Sequence, residues 1–150
     1  MKVRTLVMAG VLLGLASCQR PDMTNVPQIG FYGMDPEVVR INQDTCILMF
    51  TFNDGDADVT NGAIYLRDMR FDSAQPVQYK FPSDIDQTLL DPKKGITGKV
   101  TILLTPDIVS PRLDSVHLKY GDTTAFEVYV VDKKNNKSNT FVTPKLKMVW

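Results

Sequence analysis

The sequence predicts an all-β sandwich, one antiparallel domain of about seven strands. Two observations carry this: apolar runs of strand length recur along the chain, and clusters of Gly, Pro, Asn and Asp separate them. A third agrees with them, since no stretch holds the longer apolar period of an extended helix and only a single helical turn is expected, near Ile85 or Ile108.

Ile29 to Tyr32 and Val38 to Ile41 read as one first strand broken around Gly33 to Pro36, a break that discourages pairing at a sheet edge. Thr45 to Phe52 is the clearest strand, with Cys46, Leu48, Phe50 and Phe52 on one face and Ile47 and Met49 on the other. Its near-continuous apolarity predicts a central position. Ala63 to Arg67 buries Ile64 and Leu66. Val77 to Phe81 turns Val77, Tyr79 and Phe81 to one side and stops at Pro82. Lys99 to Leu104 directs Val100, Ile102 and Leu104 inward and ends at Thr105-Pro106. Phe126 to Val131 buries Phe126, Val128 and Val130, and Lys145 to Val149 does the same with Leu146 and Met148. Between Pro82 and Gly98, with Asp84, Asp86 and Asp91, the signals are those of loops. A closing aromatic after an alternating strand either tucks Trp150 against the sandwich, the arrangement expected, or offers it to a partner.

The N-terminus carries an address. Lys2 and Arg4 precede an apolar stretch from Leu6 to Leu15 that is too short to span a bilayer and has the layout of a secretory signal. Its end, Leu15-Ala-Ser-Cys18, resembles the lipobox of bacterial lipoproteins, which implies cleavage after Ser17 and acylation of Cys18. Several acyl chains hold a protein to a membrane far more firmly than one. The organisation expected is therefore a signal peptide at 1–17, a lipidated tether at 18–27 and the sandwich at 28–150. Gln19 stands where aspartate would favour inner-membrane retention in the bacterial sorting rule, so the analogy implies the outer membrane, facing either the periplasm or the surface.

With Cys18 lipidated, Cys46 has no disulfide partner and reads as a small buried hydrophobe. Removing Lys2 and Arg4 leaves 15 basic against 17 acidic residues, a formal charge of −2, which gives no electrostatic basis for a nucleic-acid partner.

Two separated segments carry a further likeness. Phe50-Thr-Phe-Asn-Asp-Gly-Asp-Ala-Asp58, together with Gly121-Asp-Thr-Thr-Ala-Phe-Glu-Val-Tyr-Val-Val-Asp132 and the following Asn136 and Ser138, resembles a group of uncharacterised Bacteroidota outer-membrane lipoproteins. The resemblance covers roughly Thr45 to Pro144 and implies an immunoglobulin-like or fibronectin-III-like sandwich. Asn135 occupies a place where that pattern has glycine, and asparagine tolerates the left-handed backbone better than other side chains. Val59-Thr60 replaces an aliphatic residue followed by glycine.

No catalytic arrangement is legible. The sole histidine, His117, alternates with Val116 and Leu118 and is expected to face solvent, and there is no phosphate-cradling glycine loop. One histidine and one spare cysteine cannot furnish a closed zinc site. Carboxylates are abundant, and calcium takes six to eight hard oxygen ligands. An EF-hand starting at Asp54 would put Val59 and Tyr65 where glycine and glutamate are required, and starting at Asp56 would put Asn61 and Arg67 there.

In the implied sandwich, the loop after Phe52 and the loop after Val131 emerge at the same end. That predicts a calcium site of Asp54, Asp56, Asp58, Asp132 and Asn136, with Asn135 nearby, whose carboxylates repel unless a cation or Lys133, Lys134 or Lys137 intervenes. The simpler reading of the same residues is that of ordinary turns, with Asp132 and Ser138 tying their own loop together. The expected role is a non-catalytic structural or binding module of the envelope. It would be attached to the membrane by its lipid and dock on another envelope protein through an exposed apolar patch or a free strand edge. The alternative is a surface binder of glycans or host proteins, for which Tyr32, Tyr65, Tyr120, Tyr129 and Trp150 are the candidate aromatics.

Overall fold

A strand that alternates apolar and polar side chains can bury one face, and three runs here do so along most of their length. β3 (Cys46–Asp54) buries Cys46, Leu48, Phe50, Phe52 and Asp54, β6 (Ile96–Leu104) buries Val100, Ile102 and Leu104, and β8 (Phe126–Val131) buries Phe126, Val128 and Val130. The computed structural model describes residues 23–59, 62–71, 74–81, 95–109 and 119–150. The remaining elements are β1 (Gln28–Asp35), β2 (Val38–Arg40), β4 (Ala63–Asp68), β5 (Val77–Lys80), α1 (Pro106–Val109), β7 (Asp122–Thr124), β9 (Phe141–Val142) and β10 (Leu146–Val149).

The strands form two facing layers. One is the antiparallel sheet β1-β3-β6, and the other is the antiparallel sheet β5-β4-β8-β9. Their inner faces join in one core, with Phe52 edge-on to Phe81 at 4.9 Å and Phe50 against Phe141 at 5.9 Å across the layers. A third sheet, β2-β10-β7, adds Val39, Leu146 and Met148 to the same core.

The predicted break in the first strand is present. After the cis Asp35-Pro36 bond the chain leaves β3 and, as β2, pairs with β10. That pair is parallel, which corrects the expectation of a wholly antiparallel sandwich: the last strand runs in the same direction as the first. Among the described residues β1 and β2, β7 and β8, and β9 and β10 are each one chain pass interrupted as it changes neighbours.

Four further differences have local causes. β6 starts at Ile96, three residues before the predicted Lys99, because Ile96 and Thr97 pair with Asp54 and Asn53. Val77 is exposed, since β5 is an edge strand anchored by buried Phe81. Trp150 does not tuck in and is 61% exposed. Met23 to Pro27 is not a free tether: Thr24 accepts a hydrogen bond from Gly55 N–H at 2.8 Å, and Pro27 is buried. The signal peptide, Cys18, the loop with Asp84, Asp86 and Asp91, the turn expected near Ile85, and His117 lie outside the described residues. No described helix is long and apolar enough to cross a membrane.

The register assigns the ends. The start of β1, the end of β3, the start of β6 and the end of β8 lie together, whereas Cys46, Leu104, Asp68 and Phe126 mark the opposite end. β10 pairs with β7 beyond that second end, so Trp150 lies there too.

Candidate functional site: an acidic loop facing a lysine turn

Period-two alternation carries β3 one step past Phe52 and turns Asp54 inward, where it is fully buried. The chain then wraps around that carboxylate. Val59 N–H donates to Asp54 Oδ2 at 2.9 Å, Ala57 turns the loop with φ 59°, and Val59 is buried in the core. The loop is held from two sides. A Cβ on Gly55 would come within 2.5 Å of Met23 O, and one on Gly62 within 2.2 Å of Val131 O, so both residues must lack a side chain for these backbones to approach.

Inside this loop one carboxylate oxygen from each of Asp54, Asp56 and Asp58 lies within 4.8 Å of the others. Asp54 Oδ1, Asp56 Oδ1 and both Asp58 oxygens are buried without a hydrogen bond. Lys134, in the turn after β8, forms an ion pair with Asp56 and brings its Nζ within 3.2 Å of Asp58 Oδ2, off the hydrogen-bonding direction. Burial, with the neighbouring Asp56 and Asp58 charges, pushes Asp54 up to about 6 despite the Val59 N–H. Burial also raises Asp58, helped by the Asp132 charge and opposed by Lys134. Hydrogen bonding to Lys134 holds Asp56 below the usual carboxylate range, and Asp56 and Asp58 in turn raise Lys134.

Asp132 and Asn136 sit at the same end but are engaged with each other. Asp132 Oδ1 accepts from Asn136 N–H and Oδ2 from Asn136 Nδ2, both at 2.8 Å, and Asn135 closes this turn at φ 68°. Ser138 ties the turn back to β8, accepting from Val130 N–H at 2.9 Å and donating to Asn139 O at 2.6 Å. Of the five expected ligands, three converge, and Asp132 adds a nearby charge. Which of the three lysines would intervene was not legible, because Nζ reach depends on the turn conformation.

Two outward faces complete the surface. On β4 and β8 the cross-strand neighbours Tyr65 and Tyr129 stack at 4.9 Å with an interplanar angle of 9°, and Lys137 Nζ lies 3.9 Å from the Tyr129 ring centre. Tyr65 borders a cleft of 460 Å³ that Gln78, Lys80, Lys133 and Asn135 also line. On the other layer Ile47 of β3 pairs with Leu103 of β6, and both side chains are exposed, at 37% and 55%.

No family model matches the chain, and no curated protein matches it. Among solved structures it is similar to a Niemann-Pick type C2 protein from the Japanese carpenter ant, at 17% identity and TM-score 0.49, over 84% of this chain and 95% of that one. It is also similar to the CARDB domain of the PF1109 protein from Pyrococcus furiosus, at 13% identity and TM-score 0.35, over 87% and 98% of the two chains. A third similarity, to a β-glucosidase from Listeria innocua, has 14% identity and TM-score 0.40 and spans 83% of this chain but 16% of the enzyme. At these levels of likeness none of the three lends its activity to this chain.

Proposed function

We propose that the protein is a non-catalytic docking module of the cell envelope, an immunoglobulin-like sandwich of seven strands held at the outer membrane through acylated Cys18. The strand order supports the fold assignment, since β1-β3-β6 facing β5-β4-β8-β9 matches an A-B-E sheet against C′-C-F-G. The observation that carries the docking role is the exposed cross-strand pair Ile47 and Leu103. Exposed apolar side chains side by side on a sheet face are costly in water and are relieved by a partner. The partner proposed is another envelope protein.

The position of the N-terminal segment favours the same reading. Met23 and Thr24 rest on the acidic loop, and Cys18 precedes Met23 by five residues, a reach of at most about 18 Å. A lipid at Cys18 would hold the acidic end towards the bilayer and present Ile47 and Leu103, near the opposite end, away from it.

A second reading, a surface binder of glycans or host proteins, is favoured by the stacked Tyr65 and Tyr129, because flat aromatic faces beside polar groups suit sugar rings and polar epitopes. Cross-linking in intact membranes separates the two. The docking role predicts a reproducible envelope protein lost in Ile47→Ser/Leu103→Ser and kept in Tyr65→Ser/Tyr129→Ser, and the reverse pattern selects the second reading. For the anchor, Cys18→Ser is expected to move the chain from the membrane pellet to the soluble fraction; retention in the pellet would refute the tether.

A further inference from the structure

The acidic loop leaves an electrostatic account open. Three carboxylates converge on a space that one ammonium, from Lys134, approaches from the edge, leaving two negative charges. Asp54 cannot turn to water, because it is fully buried, and its Oδ1 has no partner although Oδ2 is fixed by Val59 N–H. An unpaired buried carboxylate oxygen costs several kcal/mol in general, roughly the penalty of an unsatisfied charged group. Here the Asp54 carboxylate also has an oxygen within 4.8 Å of an oxygen of each of two more carboxylates, three of whose four oxygens are likewise buried without a hydrogen bond.

We propose that Asp54, Asp56 and Asp58 bind one calcium ion, with Lys134 as a tethered counter-charge that the ion displaces. The spacing fits: two oxygens each about 2.4 Å from a common centre are at most about 4.8 Å apart, and one oxygen from each of the three aspartates meets that limit. The chemistry fits as well, since every available donor is a hard oxygen and the residual charge is that of a divalent cation. Calcium suits this set better than magnesium, because a loop supplying carboxylates from residues 54, 56 and 58 gives an irregular shell that calcium tolerates and magnesium does not. Backbone carbonyls or water would fill the remaining positions.

The loop is prepared for this role by its supports. Gly55 seats it on Met23 and Thr24, and Gly62 seats its return on Val131 and Asp132, so calcium would stiffen the joint between the N-terminal segment and the body of the domain. This site stands independently of the docking face and of the lipid.

The test uses the full chain purified in detergent, with calcium chloride, magnesium chloride and chelator as the three conditions. Calcium at millimolar concentration is expected to raise the melting temperature by about 5 °C over chelator, with a smaller shift in magnesium. Isothermal titration is expected to give one site, weakened at least tenfold in Asp56→Asn and in Asp58→Asn. Lys134→Gln is expected to bind calcium more tightly than the parent chain, because the competing ammonium is gone. Asp54→Asn is not relied on, since a buried change of this kind can unfold the domain. No calcium-dependent shift and no titration heat in the parent chain overturns the proposal, as does calcium affinity unchanged in both Asp56→Asn and Asp58→Asn. An affinity lowered by Lys134→Gln removes the counter-charge role.

Discussion

Cys46 begins β3 fully buried, and burial pushes its thiol up to about 11, opposed by a backbone hydrogen bond from Asp35. A thiol reagent needs the thiolate and access to it, so in the Cys18→Ser chain modification of Cys46 is expected only through global unfolding, at a rate that rises with urea. Rapid labelling in native buffer would contradict this burial. Asn135 offers a backbone prediction. At φ 68° it holds a left-handed conformation that glycine adopts freely and β-branched residues resist. Asn135→Gly is expected to leave stability unchanged or raise it by up to about 1 kcal/mol, and Asn135→Val to lower it by about 1–2 kcal/mol, read from urea midpoints. Both residues were legible from the sequence, one as a lone apolar cysteine in a strand, the other as asparagine standing for glycine. Asp54 was legible only as a loop carboxylate. Its inward direction follows from continuing the period of β3 one step beyond the apolar residues, where composition no longer marks the strand.

Between elements, Arg70 was not legible at all. Its side chain is 10% exposed, and it joins Asp68 on β4, Asp122 on β7 at 2.8 Å and the Val109 carbonyl of α1 at 2.7 Å. Thr124 Oγ1 adds a hydrogen bond to Asp68 at 2.7 Å. Asp68 is two residues away, but Val109 and Asp122 come from 39 and 52 residues away, so no local pattern announces the network. Arg70→Met removes the cation and leaves two carboxylates beside it, and a loss of about 3–5 kcal/mol is expected, measured by denaturant unfolding. Burial pushes Asp68 up, but the Arg70 and Thr124 hydrogen bonds outweigh it and hold Asp68 below the usual range. A carboxylate depressed in the folded state contributes stability that is present above its unfolded pKa, about 3.9, and is lost as pH falls through the lower folded value. Acid should therefore destabilise the parent chain below about pH 4, and this part of the pH slope should vanish or reverse in Arg70→Met. The strands themselves divide in the same way. β3, β4, β6, β8 and β10 follow from apolar alternation, whereas β7, which is Asp-Thr-Thr, and two-residue β9 exist because neighbouring backbones pair with them.

For the whole molecule, the consequence of the strand directions is an orientation. The acidic loop and the segment leading back to Cys18 share one end, and Trp150 lies beyond the other, about 30 Å away for a nine-residue strand such as β3. Trp150 is the sole tryptophan and is exposed, so its emission reports that end. In vesicles carrying the lipidated chain, aqueous acrylamide is expected to quench it and brominated acyl chains are not; strong quenching by the lipid would reverse the proposed orientation. The sequence by itself determined the β class, the inward faces of the main strands and the motif at Cys18, because period, turn residues and short motifs are local properties. Only the tertiary structure decided which of the carboxylates in the two loops converge, that the broken first strand pairs with the last in parallel, and that Lys134 meets Asp56 and Asp58. Those depend on pairing between residues far apart in the chain, which local pattern does not encode. The loop from Asp54 to Asp58 needed both: its carboxylates are written in the sequence, and their convergence is a product of the fold.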